Sequence, residues 1–144
     1  MTSAGATAVD TSVAIPLLVA GHPAHSATRT WARGRRLKLC GHALAETYSV
    51  LSRLPSPFGV SGPQAVELLG NFAEPFVLSE QAARAAPQQF ALLGITGGAV
   101  YDGLVALAAR EQAAVLATRD ARARSTYEAV GVEVDLIPSN GISG

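Results

Sequence analysis

The chain has 144 residues, 49% of them apolar and 15% charged, which excludes an intrinsically disordered protein and gives length enough for one sizeable core. Eleven basic and eleven acidic side chains cancel, so net charge selects no class of partner, although arginines cluster at Arg33, Arg35 and Arg36 and again at Arg119, Arg122 and Arg124. A single cysteine, Cys40, excludes an internal disulfide framework and fits a reducing compartment.

From the N-terminus, the β-branched, apolar start of ATAVDTSVAI predicts a strand through about Val9, closed by Asp10 and a turn rich in hydroxyls. The apolar run VAIPLLVA at residues 13–20 is too short to span a bilayer. It follows Asp10 and has no basic leader, so it does not read as a signal peptide. No membrane segment and a cytoplasmic location are expected. Pro23 and Gly34 then punctuate a helix at its start and just past its end. LKLCGHA reads as a short second strand. In ALAETYSVLSRL, Leu44, Tyr48, Leu51 and Leu54 recur at helical spacing until Pro55 and Pro57 stop the run.

PSPFGVSGP is a loop by composition, and Ser61 is placed to cap a helix that has Pro63 early in it. EPFVLSE predicts a short strand. Ser79 precedes the helix EQAARAAPQQFALLGI, interrupted at Pro87. GGAVYDGLVALAAREQ predicts a helix with Val100, Leu104, Leu107 and Ala108 on one face. AAVLAT reads as a buried strand, RARSTYEAV as a short helix ended by Gly131, and VEVDLI as a last strand. With no repeat and no long linker, the chain reads as one domain over residues 1–144. Strands alternating with helices predict an α/β sandwich with a central, mostly parallel sheet, in which ligands bind beyond the carboxyl ends of the strands.

Four acids fall on that edge. Asp10 and Asp120 each follow a strand, while Glu46 and Asp102 lie in the first turns of helices. Carboxylates gathered in a partly dry pocket repel one another and resist ionisation. A hard divalent cation resolves the conflict: Mg²⁺ or Mn²⁺ prefers oxygen ligands, keeps several waters and bridges carboxylates to a substrate phosphate. With arginines alongside, the substrate that follows is a phosphodiester, cleaved by a metal-activated water. Each acid also has a plainer reading. Asp10 and Asp120 can cap the helices that follow them, and Glu46 and Asp102 can complement a helix dipole.

In order and spacing, AVDTSV, LAETYSVLSRL, YDGLVALAA and VLATRD span nearly the whole chain, and with them the sequence resembles the PIN-domain ribonucleases, most closely the VapC-type toxins of prokaryotic toxin–antitoxin pairs. The resemblance implies a PIN-like α/β/α sandwich and Mg²⁺- or Mn²⁺-dependent cleavage of single-stranded RNA regions. It also implies a homodimer, and a cognate VapB-type antitoxin whose tail wraps over the toxin. An apolar helix followed by a basic tail is expected of that partner, with an arginine accepted by the acidic pocket. By the same resemblance, Asp10, Glu46, Asp102 and Asp120 take the places of the metal-binding and catalytic acids, and Thr118 supports the site from behind them. Arg119, Arg122 and Arg124 are the candidates for contact with the RNA backbone rather than for pairing with Asp120. Gly103 stands where alanine is more usual, at about 1 kcal/mol of helix propensity, and is expected to loosen that turn.

Other chemistries lack their residues. His22, His25 and His42 with one cysteine show no zinc spacing. No G-x-S-x-G elbow, P-loop or G-x-G-x-x-G occurs. Trp31 and Tyr48 could stack on bases, but read more simply as helix-face packing. A phosphoacceptor receiver domain needs a late lysine, and the only lysine is Lys38. A haloacid-dehalogenase-like phosphatase needs a second acid two residues after Asp10, where Ser12 stands. The alternative to a nuclease is a non-catalytic α/β binding module whose acids are caps and which acts only through a protein partner.

Overall fold

The protein is described by a computed structural model over residues 5–138. Its elements in chain order are β1 (Ala6–Val9), α1 (Thr11–Leu18), α2 (His25–Ala32), β2 (Arg36–Leu39), α3 (Ala43–Ser52) and α4 (Gly62–Leu69). There follow α5 (Glu80–Leu93), α6 (Ala99–Glu111), β3 (Leu116–Thr118), α7 (Ala121–Val130) and β4 (Val134–Leu136). The four strands form one sheet in the order β2-β1-β3-β4, every pair parallel. No helix among the described residues is long and apolar enough to cross a membrane.

The central strands carry the core. Ala8, Val9, Leu116 and Ala117 are fully buried, as expected of parallel strands covered on both faces. The chain leaves β1 for β2 on one side and, after α6, enters β3 on the other. α1 packs on β1 and β3 and against α2 and α3, whereas α7 packs on β3 and β4 and against α6. The crevice beyond the carboxyl ends of β1 and β3 is therefore the topological switch point, where open α/β sheets bind ligands.

Three expectations are corrected. Residues 11–18 form a helix rather than a turn, although Pro16 lies inside it. Proline deprives the carbonyl four residues back of its amide, and that carbonyl, on Ser12, accepts instead from Arg119 Nη1 at 3.4 Å. EPFVLSE is not a strand: it touches the sheet only through a bridge between Cys40 and Phe76. α5 also runs unbroken through Pro87, which lies on its exposed face, where water can reach the carbonyl left without an amide.

Helix starts follow local chemistry. Ser61 and Gln64 form a reciprocal capping box on α4. The Ser79 hydroxyl accepts from Ala82 N–H at the start of α5 and donates to Glu111 Oε2 at 2.6 Å, tying α5 to the end of α6.

Candidate active site

One local rule sets Asp10 and Asp120. Each ends a central strand and caps the next helix, Asp10 Oδ1 accepting from Ser12 N–H at 3.0 Å and Asp120 Oδ1 from Arg122 N–H at 2.9 Å. Capping and a place in the crevice are thus compatible, because the cap sits at the strand's carboxyl end. Glu46 and Asp102 enter from the first turns of α3 and α6. All four acids line one cavity of about 220 Å³, together with Thr11, Ser12 and Tyr127. A larger cavity, about 590 Å³ between α1, α2, β2 and α4, contains Arg29, Arg35 and Arg36 and no carboxylate; the acid chemistry lies in the smaller one.

A chain of hydroxyls joins Asp10 to Asp120. Ser12 Oγ lies 2.6 Å from Asp10 Oδ1 and receives Arg119 N–H at 2.7 Å. With its one proton directed at Asp10, Ser12 accepts from the Thr118 hydroxyl at 3.2 Å, and Thr118 Oγ1 accepts in turn from Asp120 N–H at 3.0 Å. Thr118 is fully buried and lies behind the cavity. The other oxygen of Asp10 accepts from the Tyr127 hydroxyl at 2.7 Å, with both residues buried. On the far wall, Thr11 Oγ1 lies 3.2 Å from Glu46 Oε1 and 3.1 Å from the Thr47 hydroxyl. Sequence reasoning missed Tyr127, which stands 117 positions from its partner and carries no local signal. Thr11 and Ser12 did carry one, as hydroxyls directly after a strand-ending acid.

The electrostatics follow from this crowding. The carboxyl of Asp102 is pushed above its usual range, first by burial and then by the charges of Asp120, Glu46 and Asp10, with His42 opposing. Burial, reinforced by Asp10, raises the Tyr127 phenol and the Cys40 thiol, so both stay neutral near Asp10. Among the described residues, no three His, Cys, Asp or Glu side chains form a ready chelate. An all-oxygen set around a cavity with room for water suits a hard cation that keeps part of its hydration shell. The repulsion falling on Asp102 is the unbalanced charge such a cation would offset.

The arginines are more engaged than the sequence suggested. Arg122 lies 3.6 Å from Asp120 Oδ1, so a pairing with Asp120 exists after all, across an interaction whose arginine is 95% exposed. Exposed pairs of this kind contribute little. Arg124 pairs with Glu128 at 3.0 Å one turn on. The guanidinium of Arg119 is held beside the Ser12 carbonyl, its partial burial lowering its proton affinity. Away from the cavity, His22 accepts from Ala24 N–H at 3.0 Å and His25 meets the Pro16 carbonyl at 2.8 Å. Trp31 packs half-buried against the core beneath the Arg35 guanidinium, 4.6 Å from its ring.

Residues 7–129 match the family profile described as PIN domain. The chain is 58% identical over 128 residues to Ribonuclease VapC27 of Mycobacterium tuberculosis, covering 88% of this chain and 93% of that protein. It is 39% identical over 132 residues to Ribonuclease VapC40 of the same organism, covering 90% and 98% respectively. The fold resembles FitAB bound to an IR36 DNA fragment, with TM-score 0.63 and 20% identity over 90% of this chain and 94% of that one. It also resembles FitAcB from Neisseria gonorrhoeae, with TM-score 0.61 and 20% identity over 89% and 95%. The chain belongs to the PIN-domain family, among its VapC-type members.

Proposed function

We propose that the protein is a VapC-type toxin, an endoribonuclease that hydrolyses RNA phosphodiester bonds with Mg²⁺ or Mn²⁺ and is neutralised by a cognate VapB-type antitoxin. The observation that carries this reading is the single cavity lined by Asp10, Glu46, Asp102 and Asp120 at the switch point of the sheet, in a chain 58% identical to a protein named as a ribonuclease. In this reading residues 1–144 are one catalytic domain, working in the cytoplasm as a homodimer.

Asp10, Asp102 and Asp120 would hold the ion, with Glu46 a further ligand or the group that orients the attacking water. When bound, the ion supplies Lewis-acid stabilisation of the phosphate and a more acidic water. The chain's own contribution is preorganisation. Ser12 and Tyr127 fix Asp10 by three hydrogen bonds, Thr118 links Asp120 into the same network, and Thr11 steadies Glu46. Arg122, exposed beside Asp120 at the start of α7, would turn toward a phosphate, with Arg119 and Arg124, its neighbours in the sequence, as further contacts to the RNA backbone. An antitoxin arginine would satisfy the same carboxylates and exclude substrate.

The test is cleavage of RNA in Mg²⁺ by wild type and Asp10→Asn. Asparagine keeps a capping oxygen for Ser12, so circular dichroism should show an intact fold. Removing an outer-shell partner of a metal site costs about 10- to 100-fold, so loss of a ligand should cost about 100-fold or more. Equal cleavage by both proteins, or none by either on transfer, ribosomal, messenger and small RNAs, would favour the non-catalytic binding module.

A further inference from the structure

We propose that His42 and Tyr101 form a stacking platform for the RNA base next to the phosphodiester at the acid cavity, an inference that rests on the ribonuclease reading above. The platform is built by a close approach of two helix starts. Gly41 has φ +55°, and a Cβ there would lie 2.8 Å from the Leu104 carbonyl oxygen and 3.2 Å from Ala108 Cβ. Only glycine allows the backbone before α3 to press so closely on α6. The approach brings His42, the residue before α3, against Tyr101 in the first turn of α6, with ring centroids 4.8 Å apart and planes 31° apart.

His42 makes no side-chain cap to the helix it precedes, and Tyr101 leaves 54% of its surface in water. Tyr127, by contrast, is buried and bonded to Asp10, and Trp31 is covered by Arg35. The pair's position is specific. Tyr101 is the chain neighbour of Asp102, and His42 stands one helical turn before Glu46, so the ring pair lies where the starts of the two helices that bring in these acids approach each other, beside the cavity rather than in its lining. A phosphodiester anion has no use for a π face, but the nucleoside joined to it does. Stacking on aromatic rings tolerates every base because every base has such a face. The platform therefore supplies grip on the flanking nucleotide without reading its identity.

The test uses short RNAs carrying the mapped cleavage site, each with one flanking nucleotide made abasic, cleaved in Mn²⁺ by wild type, Tyr101→Phe, Tyr101→Ala and His42→Ala. A lost base–aromatic stack should raise KM about tenfold for Tyr101→Ala on intact RNA, with kcat nearly unchanged and Tyr101→Phe behaving as wild type. One abasic position should cost wild type the same factor and cost Tyr101→Ala little more, the non-additivity of two groups in contact. Should Tyr101→Ala fail to fold, Tyr101→Leu serves the same comparison. Equal losses by wild type and Tyr101→Ala on every abasic RNA would overturn the platform and leave the ribonuclease standing. So would an unchanged KM with an altered mass by light scattering, which would make Tyr101 a contact between copies of the chain. If wild type cuts no RNA, the ribonuclease reading fails and takes the platform with it.

Discussion

Without a metal, the carboxyl of Asp102 is raised above 3.8, first by burial and then by the charges of Asp120, Glu46 and Asp10. A raised carboxyl binds its proton more tightly folded than unfolded. Between the unfolded value and the raised one the folded state therefore holds the extra proton, and stability falls as pH rises across that window. Above it, the ionised group imposes its full penalty on the metal-free fold. Asp102→Asn removes that charge while keeping the shape, so the metal-free variant should melt higher than wild type at pH 7 to 8. The gain should vanish as pH falls below about 3.8, where both states of Asp102 are protonated. Thermal melts in a chelator across pH measure this, and a variant less stable than wild type at neutral pH would show that Asp102 serves the fold instead. Asp10 is held differently, by three hydrogen bonds from Ser12 and Tyr127. The position of both acids was legible in the sequence, because a strand end and a helix start are local patterns. The partners that distinguish them were not, because Tyr127 reaches Asp10 only through the tertiary fold.

At the scale of elements, the contact of α5 with α6 shows how packing overrides propensity. Gly103, expected to loosen its turn, instead makes room for a ring: a Cβ there would lie 2.7 and 2.8 Å from Phe90 ring atoms. Phe90 is itself 4% exposed and has little freedom to withdraw. Gly103→Ala would gain about 1 kcal/mol of helix propensity, against about 1–3 kcal/mol for overpacking a filled core. A net loss of about 1 kcal/mol is expected, read from the urea midpoint, with Phe90→Leu in the same chain recovering part of it. A stabilised Gly103→Ala would show that the ring moves aside freely. The same limit on local reasoning explains the misread elements. α1 was hidden because Pro16 and an apolar composition on all sides removed the helical stripe, while its unpaired Ser12 carbonyl is answered by Arg119, more than a hundred residues on. Pro87 looked like a break, yet it sits on the solvent face of α5, where a missing amide costs least. EPFVLSE had the composition of a strand, but reaches the sheet only at Phe76.

Across the whole molecule, the cavity joins segments far apart in the chain. Asp10 follows β1, Asp120 follows β3, and α3 and α6 bring Glu46 and Asp102 from the long excursion between them. An ion held by these carboxylates cross-links elements that separate on unfolding, so its binding energy adds to global stability. At a concentration ten times its dissociation constant, it adds about 1.4 kcal/mol, which for a chain of this size is a rise in Tm of about 3–5 °C. Mn²⁺ should produce this rise, a chelator should reverse it, and Asp102→Asn should largely abolish it while melting higher in the metal-free state. The pH dependence has a definite sign. The ion needs ionised carboxylates, and Asp102 holds its proton to higher pH than an ordinary aspartate, so proton and metal compete there. The Mn²⁺-induced rise should therefore be larger at pH 8 than at pH 5.5, and Asp102→Asn should remove most of that difference. An equal rise in wild type and Asp102→Asn, or one indifferent to pH, would place the ion away from the four carboxylates and return Asp10 and Asp120 to their roles as helix caps.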